Sequence, residues 1–404
     1  MITRHCISRK ASNKLRVSFF EDIDLIPSEH WDTVVDGETH YLSRRYLRSL
    51  ETSLSEEIDF RYILFYDDEL IPVGVSAIQL HRFTGDDFDL SKLTERMGDV
   101  FPSRLLEHMD IRFMICGNAF SAGEHGYHFA NHLDTETAME NLLDAIERIR
   151  REEDRTRNRI SLFLLKDFWP DTLKQLEPMR EAGFRPIQID PNMVIRLSDE
   201  WTSYDQYLGD MTTKFRTKLK GVGNKSADIL AKPLNAAEIE LHQTRINSLY
   251  EAVVERAGYR FGTINAQTFA QFAHNLPEAV RFTGYFLDDE LIGFSSAFLD
   301  RDVLDANFVG IDYRFNVSHA LYQRMLCDFV KTGIEEGCRE IRLGRTAEEV
   351  KSCLGAEPIS MTLFIKHRNH FTNTLLKPLI ESIKPSSFEL RKPFKAAVYE
   401  SWTQ

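Results

Sequence analysis

The sequence is poor in the residues that define cross-linked or low-complexity chains. Its five cysteines (Cys6, Cys116, Cys327, Cys338 and Cys353) are odd in number and scattered, with no Cys-x-x-Cys pair. That excludes a disulfide framework and a zinc site of the usual spacing, and it fits a reducing, cytoplasmic compartment. Only 20 glycines and 13 prolines occur among 404 residues, too few for a collagen-like or repetitive protein. Long apolar runs are missing: Ile63–Phe65 and Leu162–Leu165 fall far short of the ~20 residues that span a bilayer, so no membrane insertion is expected. Positive charge is also scarce. Lys and Arg number 50 against 62 Asp and Glu, a formal charge of −12, which excludes a broad nucleic-acid packaging field but not a local basic groove. The start, Met1–Phe20, reverses this trend with Arg4, Arg9, Lys10, Lys14 and Arg16. Lacking an apolar stretch, it reads as a solvated basic end and not as a secretory leader.

What is present is a globular composition, 43% hydrophobic and 28% charged, at a length that predicts two or three domains. The chain also repeats itself. Asp67-Asp68-Glu69-Leu70-Ile71 recurs as Asp288-Asp289-Glu290-Leu291-Ile292, each time between two β-prone runs, so each copy predicts a hairpin. A common order follows. In the first half a helix over Thr137–Arg155 precedes a strand at Ile160–Leu165, a helix at Thr172–Ala182 stopped by Gly183, and a strand near Met193–Leu197. In the second half a helix carrying Leu321, Met325, Leu326, Phe329 and Val330 ends before Gly337. It leads to a strand at Glu340–Leu343, a helix at Ala347–Leu354, Gly355, and a strand at Met361–Lys366. The repeat predicts two domains, 1–200 and 201–404, divided near Glu200. Phe371–Ile383 predicts a terminal helix and Val398–Trp402 an edge strand, while Asp86–Asp110 and Cys116–Asn131 read as irregular.

The second half resembles the GNAT-fold acyltransferases, and within them the Fem-like branch that joins two such domains in one chain. The resemblance rests on the acidic hairpin leading to Leu291-Ile292-Gly293 and on the strand Ala306–Gly310 followed by Ile311-Asp312-Tyr313. It continues through Ala320-Leu321-Tyr322, Leu343-Gly344-Arg345-Thr346, Lys351 and Leu354-Gly355-Ala356, covering about Tyr204–His370. It implies an α/β (α+β) fold of two tandem domains, each a mixed, mostly antiparallel sheet flanked by helices. It also implies transfer of an acyl group from acyl-CoA to an amine acceptor, the second domain carrying the reactive cleft. The family binds the donor pyrophosphate where the helix after the fourth strand begins, a position that favours anions. The matching stretch is Arg314, Phe315, Asn316, Val317, Ser318, His319 and Ala320, which lacks the glycines of the usual motif.

Several residues become candidates on this basis. Asp305 and Asp312 bracket the strand and suit a base acting through water, and Tyr322 suits protonation of the leaving group. The basic run of Lys214, Arg216 and Lys218 suits a phosphate, a tRNA backbone or an anionic acceptor. Tyr259 and Arg260 fall where the family shapes acceptor specificity, and Arg345 and Lys351 are expected to project towards the cleft. In the first half, Gly117, Gly123 and Gly126 lie near His125, His128 and His132. No carboxylate or cysteine completes a zinc set there, so no metal is expected, and the lining of a groove between domains is the alternative role for this loop. Two further readings stay open: an aminoacyl-tRNA-dependent Fem-like aminoacyltransferase, and a binding module that retains the scaffold without turnover.

Overall fold

The computed structural model describes residues 14–84, 110–257, 263–375, 377 and 385–402. Most of Asp86–Asp110, all of Tyr259–Gly262 with the candidates Tyr259 and Arg260, and much of the expected helix at Phe371–Ile383 lie outside the described residues. The strands are β1 (Arg16–Phe20), β2 (Ile58–Tyr66), β3 (Pro72–Thr84), β4 (Asp110–Cys116), β5 (Tyr127–Phe129), β6 (Leu162–Phe168), β7 (Arg185–Arg196), β8 (Leu230–Pro233), β9 (Val280–Leu287), β10 (Glu290–Asp300), β11 (Val303–Ile311), β12 (Glu340–Arg342) and β13 (Glu357–His367). The first-half helices are α1 (Ser28–Val35), α2 (Arg44–Leu54), α3 (Thr135–Arg155) and α4 (Glu177–Glu181). The second half adds α5 (Tyr204–Asp210), α6 (Thr213–Lys225), α7 (Ala236–Leu241), α8 (Gln243–Ala257), α9 (Ala266–Asn275), α10 (Tyr313–Asn316), α11 (Leu321–Glu335), α12 (Glu348–Ser352), α13 (His370–Leu375) and α14 (Ala396–Ser401).

The expected repeat is present. Each half makes a hairpin (β2–β3, β9–β10), adds an antiparallel third strand (β4, β11), crosses through a long helix (α3, α11) and lays the next strand (β6, β12) parallel to the third. Gly183 and Gly355 follow the short helices α4 and α12 with φ of +88° and +91°, the left-handed conformation that ends a helix without a Cβ penalty. The shared pentapeptide does not close the same turn twice. Asp288 and Asp289 both have positive φ and form a two-residue turn between Leu287 and Glu290. In the first copy Tyr66 pairs with Pro72, so all five residues lie in a wider loop.

The last strand of each half leaves its own lobe. β7 does not pair with β6 but lies antiparallel between β12 and β13, and β13 lies antiparallel between β6 and β7. One continuous sheet results, in the order β1-β2-β3-β4-β6-β13-β7-β12-β11-β10-β9-β8, with β5 beside this path on β3. The cores are mixed accordingly. Phe364 of β13 is buried among first-half residues under α3 and packs edge-on against Phe168, while Met193 and Ile195 of β7 are buried under α11. A further cluster unites Trp31, Tyr41 and Tyr46 near α1 and α2 with Phe269, Phe272 and Phe298. The expected edge strand at Val398–Trp402 is instead helix α14: Val398 and Trp402, four residues apart, share the helix face packed near Phe394 and Trp201.

This exchange predicts that fragments 1–200 and 201–404 expressed separately will lack cooperative thermal unfolding, each missing its inserted strand, and that mixing them will restore it. Independent cooperative melts of both fragments would contradict the exchange. Phe364→Ala, removing a fully buried ring from the recipient lobe, is expected to lower stability by roughly 3–5 kcal/mol in urea unfolding.

Candidate active site between the lobes

The two parallel strand pairs differ. In the first lobe β4 and β6 stay paired from Phe113–Leu162 to Cys116–Leu165, the end of β4. The chain then departs as the loop 117–126 before rejoining β3 as β5. Lys166 Nζ donates to Ser121 O at 3.2 Å, and Trp169 N–H donates to Glu124 Oε1 at 2.7 Å, so this loop fills the space beyond the pair. Its neck is tight: a Cβ on Gly126 would lie 2.6 Å from the backbone N of Gly117.

In the second lobe β11 and β12 pair only over Val303–Glu340, Leu304–Ile341 and Asp305–Arg342. Beyond Arg342 the chain stays with β7, through Leu343 N–H to Met193 O and Met193 N–H to Gly344 O, while β11 continues to Ile311 with no strand among the described residues on that side. Where the strands part lies a cavity of about 360 Å³. Ala306, Asn307, Phe308 and Val309 of β11 form one wall; Tyr322, Leu326 and Phe329 of α11 another; Leu343, Arg345, Thr346 and Lys351 a third. Val253 and Val254 of α8 contribute, as do first-lobe residues Ile115, Ala119, Leu164, Lys166 and Asp167. The open edge of β11 turns unpaired backbone groups towards this space, which suits polarisation of a carbonyl.

Three candidates meet here. Tyr322 lines the cavity, and burial raises its phenol far above the ordinary range, so it stays protonated and keeps a hydroxyl hydrogen to offer. Lys351 is 3% exposed; burial lowers its ammonium to about 7 despite the opposing pull of nearby Glu348. Its Nζ donates to Gly344 O at 3.1 Å and also to Arg345 O. Arg345 reaches across to Asp167 of the first lobe.

Other candidates lie elsewhere. Asp305 is buried away from the cavity, accepting from Tyr41 Oη at 2.7 Å, and burial pushes its carboxyl up to about 6. Tyr41 stacks on His125 with centroids 4.0 Å apart, so that loop histidine packs within the first half behind the tyrosine that reaches Asp305. Asp312 accepts from Arg314 and, at 2.6 Å, from Arg245, bonds that hold its carboxyl well below the usual range. A carboxylate so engaged is a weak base. Among the described residues no cluster of three or more His, Cys, Asp or Glu is arranged to hold a metal ion.

The stretch Arg314–Ala320 is built as a helix start. Arg314 pairs with Asp312 and with Glu290, Asn316 Oδ1 accepts from Tyr322 N–H at 3.0 Å, and Val317 is 83% exposed. Ser318 Oγ bonds His319 Nδ1 at 2.8 Å, His319 Nε2 lies 3.4 Å from Asp228, and Ala320 has φ of +50°. The cap is thus Asn316, leaving the amides of Leu321 and Gln323 without acceptors at the positive end of a 15-residue helix. Helix α6 packs alongside: Arg324 Nη1 donates to Ser226 O at 3.2 Å, and Lys218 Nζ lies 3.1 Å from Cys353 Sγ. Arg216 folds back to Gly209 O and Lys214 lies over Phe215. None of these three lines the cavity, yet their helix joins the start of α11 to α12 beside it.

Residues 228–352 match the family described as Acetyltransferase (GNAT) domain. No curated protein matches the chain. Among solved structures, FemX superposes with a TM-score of 0.52 at 11% identity, covering 89% of this chain and 100% of that one. A tandem GNAT protein from the clavulanic acid biosynthesis pathway superposes with a TM-score of 0.50 at 10% identity, covering 88% and 99%. Residues 228–352 therefore match a GNAT domain, and the chain as a whole shares the fold of these tandem structures. Among the described residues, no helix is long and apolar enough to cross a membrane.

The buried lysine sets a pH signature. Below about 7 Lys351 is protonated in both states; between about 7 and 10.5 the folded chain has lost this proton and the unfolded chain has not. Its contribution to stability therefore rises with pH across that interval. Urea unfolding of wild type and Lys351→Met is expected to show this increment in the wild type only, and parallel pH curves would refute it.

Proposed function

We propose that the chain is an N-acyltransferase that moves an acyl group from acyl-CoA to an amine. It would be divided near Glu200 into a supporting unit, 1–200, and a reactive unit, 201–404. The observation that carries this reading is the parting of β11 from β12 over a cavity bearing Tyr322 and Lys351. Bound acyl-CoA would supply a thioester whose carbonyl carbon accepts the amine. The unpaired amides of Leu321 and Gln323 and the positive end of α11 fit one phosphate group, with the C-terminal end of α6 packed near by. The edge of β11 offers backbone N–H to the thioester oxygen. Lys351, with a proton affinity near neutrality, takes the proton released as the C–N bond forms, and Tyr322 donates one to the departing sulfur.

Calorimetric titration of the full chain with acetyl-CoA and longer acyl-CoAs is expected to give saturable binding. Absence of both heat and thermal shift with every acyl-CoA would sink the donor assignment. Lys351→Met is expected to lower kcat by roughly 10²–10⁴-fold while acyl-CoA affinity changes little; an unchanged kcat would remove Lys351 from the reaction.

A second reading draws on α6, where Lys214, Lys220 and Lys225 are exposed and in no ion pair among the described residues. An aminoacyl-tRNA donor would find a phosphate-binding surface there. It would show as tRNA affinity that falls with salt and weakens when Lys214, Arg216 and Lys218 are neutralised together.

A further inference from the structure

The cavity contains charges that the acyl-transfer chemistry leaves unused. Lys166 and Asp167, adjacent at the end of β6, and Arg345, beyond β12, all line it. Lys166 Nζ lies 2.9 Å from Asp167 Oδ2, and Arg345 Nη2 contacts the other carboxylate oxygen. Asp167 is fully buried, whereas the side chains of Lys166 and Arg345 keep 12% and 24% of their exposure. Two cations therefore share one buried anion. With all three groups ionised the cluster carries one positive charge in excess, a charge that burial disfavours by lowering the Lys166 ammonium; Ile115, Leu164, Phe308, Val309 and Leu363 line the same cavity beside Tyr322, Asn307, Thr346 and Lys351. An uncompensated charge among such walls is expensive unless an anion meets it. Arg345 Nε, moreover, is buried without a hydrogen-bond acceptor.

The local backbone points the same way. Asp167 and Thr346 both line the cavity with positive φ, +64° and +65°, and Ala347 follows at +52°. Such conformations cost about 1–3 kcal/mol each for residues other than glycine and persist where surrounding structure holds them. Here they bring a first-lobe carboxylate and a second-lobe guanidinium together. The cavity, about 360 Å³, is open on one side. That is room for an amino acid beside a short acyl group.

We propose that Lys166, Asp167 and Arg345 form an acceptor subsite for a carboxylate, and that the acceptor is a free amino acid whose amine is thereby directed to the open edge of β11. Lys166 and Arg345 pair with the carboxylate, and Asp167 fixes both cations and keeps the site from attracting more highly charged anions. The identity of the amine as acceptor rests on the acyl-transfer reading; the carboxylate subsite does not.

The test uses the full chain, the proteinogenic amino acids, and for each the matched amine lacking the carboxylate. Binding is measured by calorimetry and thermal shift, with and without acetyl-CoA. At least one amino acid is expected to bind ~10-fold or more tightly than its matched amine. Arg345→Gln and Lys166→Met should each erase that preference. Asp167→Asn, which suits the left-handed backbone and removes the competing anion, should tighten amino-acid binding several-fold. A merely structural cluster would weaken in all three variants, so opposite signs for Arg345→Gln and Asp167→Asn are the discriminating result. Equal binding of amino acids and matched amines, weakening in all three folded variants, or no amino-acid binding at all would overturn the subsite. Acetyl-CoA binding without amino-acid binding would refute the subsite alone; amino-acid binding without any acyl-CoA binding would refute the donor assignment alone.

Discussion

Everything in this molecule depends on the reciprocal exchange of β7 and β13. Each lobe is one strand short by itself, and each receives that strand from the other half of the chain. The exchange fuses two sheets into one and carries buried side chains across: Phe364 into the first core, Met193 and Ile195 into the second. Because strand side chains alternate between faces, a one-residue slip of either inserted strand would turn these groups out of their cores. The relative position of the lobes is thus fixed by register as well as by surface contact.

That rigidity is what makes a cavity between lobes usable. β12 is held by β7 along Glu340–Gly344, so it does not follow β11 past Asp305. The gap is enclosed on one side by first-lobe residues that arrive with β6. In the first lobe the corresponding space is closed by the loop 117–126, whose carbonyl and carboxylate groups bond to the end of β6. One arrangement of strands thus has two outcomes: the first copy fills its gap with its own chain and lends residues to the gap left open in the second. The surroundings differ in charge as well. Helix α3 starts at Asp134 and Glu136 near Glu177 and Glu181, a poor setting for phosphate, whereas α6, with its lysines, packs against the start of α11.

The sequence alone determined the order of elements, because local rules decide it. Helical spacing of Leu321, Met325, Leu326, Phe329 and Val330 located α11, left-handed glycines at Gly183 and Gly355 ended the short helices, and acidic turns marked both hairpins. It also put Tyr322, Arg345 and Lys351 near a cleft through family resemblance. Tertiary structure decided the rest. Nothing local distinguishes a strand that stays in its lobe from one that crosses, since both present the same alternation; only the pairing energy of partners 144 to 205 residues away in sequence selects between them. The same holds for charge. Asp305 and Asp312 look alike in sequence, yet one is buried against Tyr41 and the other bound by two arginines, while Lys166 and Asp167 gain their meaning only when Arg345 arrives from the opposite lobe.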